Sequence, residues 1–194
     1  MENQDRKREQ IIEAAVKRFA HFGLAKTTMT EIASDLSLSK ALLYYYFPDK
    51  INLYAAVLEN IINIVSTDIE EKMRSIKDPQ EALAFYIDRR HYYIKKYYNI
   101  LDFLRTAGTD LPPQVIKTLE DARNTEVRQI SMAIQKKEID LAKATEAASL
   151  LIDAFLGMRM ALFSRKKTFL INDEEFDIVL RRQKQLGQIF MNGL

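Results

Sequence analysis

The chain has no cysteine and no tryptophan, two histidines, five glycines and four prolines among its 194 residues. Without cysteine there is no disulfide framework, no thiolate metal site and no cysteine nucleophile. With only His21 and His91 present, a histidine-based metal site is not expected. No run of about 18 apolar residues occurs, so no spanning helix is expected. The polar start MENQDRKREQ gives no sign of a signal peptide. Together with the missing cysteines, this suits a reducing cytoplasm. GxxxxGK phosphate loops, HExxH helices and GxSxG elbows are also lacking. The acidic run Asp173-Glu174-Glu175 falls at an expected helix start, where it complements the helix dipole. Neither an enzyme nor a bound cofactor is expected. An excess of one charge is missing too: 29 basic against 27 acidic residues leave +2, and residues 1–50 hold eight basic against seven acidic. Any nucleic-acid contact must come from where a few cations are placed, not from a bulk field.

What remains is rich in strong helix formers, and the whole chain reads as helical. Apolar residues spaced three and four apart predict a first helix over 4–22, with Ile12, Ala15, Val16 and Phe19 inward and Gly23 at its end. Thr28 with Glu31 has the form of a capping box opening a short helix over 29–36, with Ile32, Ala33 and Leu36 inward. Ser37-Leu38-Ser39 makes a turn, and Ser39 can cap another short helix over 40–46, stopped by Pro48. Asp49 can cap a helix over 50–74 that carries Leu53, Val57, Ile61, Ile64, Val65 and Ile69. Asp78-Pro79 opens a helix to about residue 98. Further helices are expected over 99–107, ended by Gly108, over 113–137, over 141–163 after Asp140, and from Asp173 after a capping pair of Asn172 and Glu175. The expected fold is all-α, about nine helices: a three-helix helix-turn-helix domain over 1–50 and a larger helical bundle over 51–194.

The densest signal is Ser39-Lys40-Ala41-Leu42-Leu43-Tyr44-Tyr45-Tyr46-Phe47. On a helix starting at Lys40, Leu43 and Phe47 share a face that can anchor in a core. Tyr44 and Tyr45 then point elsewhere. Two readings are open: packing against neighbouring helices, or presentation to a DNA major groove and its phosphates. Lys40 and Lys50 stand at helix starts, where the dipole disfavours a cation and a phosphate would reverse that cost. Thr28 and Ser39 offer donors at helix N-termini.

These residues carry a resemblance. Ile12, Ala14-Ala15, Phe19 and Gly23, then Thr27-Thr28-Met29, Glu31-Ile32-Ala33, Leu38-Ser39-Lys40, Leu43-Tyr44, Tyr46-Phe47, Lys50 and Leu53 resemble the N-terminal pattern of the TetR family of bacterial transcriptional repressors. The resemblance implies an all-helical homodimer with a DNA-binding N-terminal domain and a larger ligand-binding domain, whose small-molecule effector releases a pseudo-palindromic operator. It implies operator contacts at Thr28, Met29, Ser39, Lys40, Ala41, Leu42, Tyr44, Tyr45, Tyr46 and Lys50. Ala41 stands where glycine is common, Leu42 where a small polar residue is frequent, and Ser37 where the turn often has glycine. Ser37 should therefore avoid positive φ or carry strain.

One short helix reads few base pairs, so specificity needs two copies about 34–36 Å apart or a multiple of that. The last two helices carry apolar faces broad enough for a four-helix dimer interface; the other reading is that they only complete a monomer core. All nine tyrosines lie between Tyr44 and Tyr98. Tyr86, Arg89, Arg90, Tyr93, Tyr97 and Phe103, joined by Met132, Phe155, Met158 and Arg159, form an aromatic and cationic set. It suits either core packing with a charged outer face, or a pocket for a partly apolar effector. Two other functions stay open: a DNA-binding regulator without a small-molecule inducer, and a helical scaffold with a degenerate helix-turn-helix.

Overall fold

A computed structural model describes residues 2–107, 110–164 and 173–194. Among them are nine α-helices and no strand: α1 (Glu2–Lys26), α2 (Met29–Asp35), α3 (Lys40–Tyr46), α4 (Lys50–Ser75), α5 (Pro79–Lys96), α6 (Tyr98–Ala107), α7 (Pro113–Gln135), α8 (Leu141–Ser164) and α9 (Asp173–Gly193). The fold is all-α. Gly108 and Asn172, expected as a helix end and a cap, lie outside the described residues.

The helix starts follow the capping rules. Thr28 and Glu31 make the reciprocal bonds of a capping box. The carboxylates of Asp49, Asp78 and Asp140 each accept the backbone N–H three residues on, at 2.7, 2.7 and 3.0 Å. Such bonds satisfy amides that the first helical turn leaves orphaned. The first helix runs past its expected end. Gly23 breaks it with φ 76° and ψ 166°, and a last helical stretch continues to Lys26. That backbone region is open to glycine almost alone.

The chain divides into two compact units: one of residues up to Ile64 with Lys96–Ala122, the other of Val65–Lys95 with Arg123–Leu194. In unit one, α1 packs against α2 and α6, and α2 against α3. Its buried side chains include Ile11, Ile12, Ala15, Phe19, Ile32, Ala33, Leu43, Phe47, Leu53, Tyr54 and Val57. Tyr54 sits edge-on to Phe19 and Phe103, and its hydroxyl donates to the Ile100 carbonyl at 2.8 Å. On α4 the inward stripe passes through Ile61 and Val65 to Ile69, and Ile64, expected inward, is exposed.

Unit two has a core of Ile69, Met73, Leu83, Tyr86, Ile87, Ile130, Ile134, Ala148, Leu151, Phe155 and Met191. Gly187 sets the approach of α9 to α5: a Cβ there would lie 3.0 Å from Ile87 Cδ1 and 3.4 Å from a Leu83 methyl. Two buried amides are paired across the helices. Gln129 donates to the Ser66 carbonyl at 2.9 Å and Gln183 to the Phe155 carbonyl at 3.1 Å, as burial of amides requires.

Candidate functional site

Leu43 and Phe47 are buried and fix the inner face of α3. With that face spent, the 3.6-residue period turns Leu42, Tyr44 and Tyr45 outward, and Tyr44 and Tyr45 are 47% and 70% exposed. Ser39, Lys40 and Ala41 are exposed, and Tyr46 is half-buried with its ring edge-on to Tyr45. The Ser39 hydroxyl oxygen accepts the Leu42 N–H at 3.1 Å. Its proton remains available to a phosphate. Seven of the ten expected residues, Ser39, Lys40, Ala41, Leu42, Tyr44, Tyr45 and Tyr46, thus lie on α3 or its cap.

The other three are placed differently. Met29 is buried in unit one, so its side chain does not reach the surface. Thr28 is exposed, but both its backbone N–H and its hydroxyl donate to Glu31 Oε2, at 2.8 and 2.7 Å. Lys50 is half-buried. Its ammonium donates to the carbonyls of Leu24 and Thr27, at 2.8 and 3.0 Å. The residue that faces the wrong helix dipole on α4 is therefore spent on the negative end of α1.

A clamp the sequence reading missed holds α2 to α1. Arg18 binds Asp35 through two bonds of 2.5 and 2.8 Å and reaches Glu31 at 3.3 Å. The Asp35 bond holds the Arg18 guanidinium above its ordinary range, and Arg18 holds Asp35 below its own. Glu31 is lowered by the Thr28 bonds first. Nothing in the local sequence marks Arg18 for these partners; only the packing of α2 supplies them.

The aromatic and cationic set divides between the units. Tyr97, buried beneath the Lys96 ammonium, and Phe103, edge-on to Tyr54, belong to unit one. The others belong to unit two. Arg89 is tied by both its Nε and Nη2 to Asp68 of α4, between the rings of Tyr92 and Tyr93, each 5.1 Å from its guanidinium carbon. Phe155 is in the core, while Met132 and Met158 are half-buried.

Tyr86, Arg90 and Arg159 do come together, around a residue that was not anticipated. Arg90 donates to the Tyr86 hydroxyl at 3.1 Å and pairs with Glu126 of α7 at 2.6 Å. Burial opposes the Arg90 charge, but Glu126 and Tyr86 more than offset it and raise its pKa. Arg159 has the opposite balance. Burial, then repulsion from Arg90, push it down to about 10, against weaker support from Glu126 and Tyr86. Glu126 falls in the apolar register of α7, seven residues after Leu119 and four before Ile130. A carboxylate on an inward stripe was the available signal. Among the described residues no group of side chains could hold a metal ion, and no helix is long and apolar enough to cross a membrane.

Residues 11–57 match the family model of bacterial regulatory proteins, tetR family. A crystal structure of a transcriptional regulator from Cytophaga hutchinsonii is 32% identical, with a TM-score of 0.83 over 96% of this chain and 97% of that one. The regulator HbdR of Aromatoleum sp. is 33% identical over 80 residues, 41% of this chain and 35% of its own length. A regulator from Saccharomonospora viridis, crystallised with choline, shares the fold at 20% identity and a TM-score of 0.70, over 97% of this chain and 96% of its own. The N-terminal match, the full-length similarity and the nine-helix fold agree: the chain belongs to the TetR family of bacterial transcriptional regulators, DNA-binding helix-turn-helix proteins and not enzymes.

Proposed function

We propose that this chain is a ligand-responsive repressor, cytoplasmic and homodimeric, that grips a pseudo-palindromic operator and is released by a small, partly apolar effector. Residues 1–50 would read DNA, and residues 51–194 would bind the effector and dimerise through α8 and α9. One observation carries the reading: Leu42, Tyr44 and Tyr45 stand exposed on α3, and Ser39 and Lys40 are exposed at its start, while Leu43 and Phe47 are buried. Large exposed rings on a short helix lose apolar burial unless a partner covers them. In this reading Tyr44 and Tyr45 meet base edges and phosphates, Leu42 touches a thymine methyl, Ala41 allows close approach, and Ser39 and Lys40 hold the backbone. Tyr46 flanks them, Thr28 and Met29 shape the α2 start, and Lys50 fixes the frame. That a regulator of this fold was crystallised with choline supports a small-molecule effector.

The test is a gel shift of the full chain on its own upstream DNA. The wild type should retard that duplex. Lys40→Ala should weaken binding to all sequences and lower the salt slope by about one per subunit. Tyr45→Ala should lose about 1–3 kcal/mol of operator binding while leaving the melting temperature unchanged, because its ring is exposed. Unaltered binding in both variants overturns the assignment.

A further inference from the structure

The expected DNA-contacting set holds only two cations, Lys40 and Lys50, and the fold has spent one of them. Lys50 is bonded to the end of α1, which leaves Lys40 to grip the duplex alone at the start of α3. A single phosphate contact lets a short helix pivot; a second at its other end fixes register and orientation. That other end is met by α1. The Arg8 guanidinium lies over the ring of Phe47, the residue that closes α3, at 5.3 Å from its centroid. Phe47 is buried, whereas Arg8 is exposed. Among the described residues no acid takes Arg8. Asp49, two positions on from Phe47, is bonded to Asn52, and Asp35 and Glu31 of α2 are held by Arg18. Asp5 and Glu9 of its own helix are exposed to water.

Gln4 stands one helical turn before Arg8 and meets the same α3. Its amide donates to the Tyr45 hydroxyl over a long 3.5 Å, and the Tyr46 ring meets Tyr45 edge-on at 5.3 Å. A ring that is 70% exposed is thus held at its tip and at its edge. Because the hydroxyl oxygen accepts from Gln4, its proton stays free to donate to a phosphate or a base acceptor. The seven residues of α3 span about 10 Å. Lys40 at one end and Arg8 at the other therefore bracket Leu42, Tyr44 and Tyr45 on the scale of a major groove about 12 Å wide. Gln4 and Arg8 lie ahead of residues 11–57, which carry the family match, so neither contact is transferred from the family pattern. We propose that the first two turns of α1 belong to the DNA-binding surface: Arg8 takes a backbone phosphate at the closing end of α3, and Gln4 is a positioning residue that presents the Tyr45 hydroxyl as a donor. This inference rests on reading α3 as the helix that contacts DNA, and the two can fail separately.

The experiment follows the full chain binding a labelled duplex of its own upstream DNA, and an unrelated duplex, by fluorescence anisotropy between about 50 and 200 mM KCl. Arg8→Met keeps an apolar cover over Phe47 and removes only the charge. It should lower the salt slope by about one per subunit on both duplexes, and Arg8→Lys should restore the wild-type slope. Arg6→Ala is the control for net charge. Arg6 lies about 160° round α1 from Arg8, and its loss should leave the slope at the wild-type value. Gln4→Ala should weaken operator binding about two- to tenfold per subunit, the reach of one hydrogen bond, without changing the slope or the binding of unrelated DNA. In a Tyr45→Phe background, Gln4→Ala should change nothing further. An unchanged slope in Arg8→Met, or an equal fall in Arg6→Ala, overturns the phosphate contact. No loss in Gln4→Ala, or a loss that persists beside Tyr45→Phe, overturns the positioning role. Lys40→Ala separates the two readings. A slope that falls in Lys40→Ala but not in Arg8→Met removes Arg8 and keeps α3; a fall in Arg8→Met alone keeps Arg8 and removes the α3 assignment. A wild type that binds neither duplex overturns both.

Discussion

Two cations of this chain stand at helix starts, where simple electrostatics disfavours them, and each resolves the conflict differently. Lys40 begins α3 and is exposed, which leaves it free for a phosphate. Lys50 begins α4, yet its ammonium reaches back to two carbonyls at the end of α1. Removing it strands two half-buried acceptors at the junction on which α2 and the α3 frame rest. An unsatisfied buried acceptor costs about 1–3 kcal/mol, and a domain of this size loses roughly 2–4 °C in melting temperature per kcal/mol. Lys50→Met should therefore melt several degrees lower. Its operator complex should keep the wild-type salt slope, because no phosphate charge is lost. A slope reduced by about one, with unchanged melting, would show instead that this ammonium works on the DNA backbone.

At the scale of elements, the turn between α2 and α3 is the informative piece. Leu38 N–H donates to the Ala33 carbonyl at 2.9 Å and Ser37 N–H to the Ser34 carbonyl at 3.0 Å, the pair of bonds that defines a Schellman cap. Such a cap needs a left-handed residue, and Ser37 supplies it with φ 52°. Outside glycine that conformation costs roughly 1–2 kcal/mol, and glycine gives back about 0.5–1 in unfolded-state entropy. Ser37→Gly should raise the stability of the chain by up to about 1 kcal/mol in denaturant titration, and Ser37→Val should lower it. A loss on substitution by glycine would mean the strain is absent. This turn also marks how far sequence reasoning reaches. The caps at Thr28, Ser39, Asp49, Asp78 and Asp140 were legible because donor and acceptor lie three residues apart, and the outward face of α3 because Leu43 and Phe47 claim the inner one. The strain at Ser37 followed from a side chain where the turn wants none. What was not legible depends on topology. Arg18 finds Asp35 only when α2 folds back, Lys50 finds Leu24 only when α4 returns to α1, and Arg90 finds Glu126 thirty-six residues away. Tyr97 follows Tyr93 at helical spacing and Phe103 lies six residues on, yet sequence spacing says nothing about the compact unit each joins.

For the whole molecule, the near balance of charge sets the terms of DNA binding. A net charge of +2 gives little long-range attraction to a duplex, so one copy of the reading helix has few contacts to hold it. Pairing two copies makes the second half-site an intramolecular event, worth about 10²–10⁴ in apparent affinity. On the proposed reading, the surface that pairs them is on α8 and α9. Leu150, Ala154, Gly157, Met160 and Ala161 are exposed along one side of α8, and a Cβ built on Gly157 would meet no atom within 4 Å. Leu150 and Met160 are 58% and 55% exposed, and Ile189 of α9 is 62% exposed. An isologous contact across α8 would let backbones approach at Gly157 while Leu150, Met160 and Ile189 leave water. Leu150→Glu combined with Ile189→Lys should halve the mass seen by light scattering and cut operator affinity by two orders of magnitude or more. The helical content of the separated protomer should stay unchanged, since neither side chain supports its own core. A wild type that is monomeric, or a double variant that still dimerises, would move the interface elsewhere and with it the basis for reading a two-fold operator.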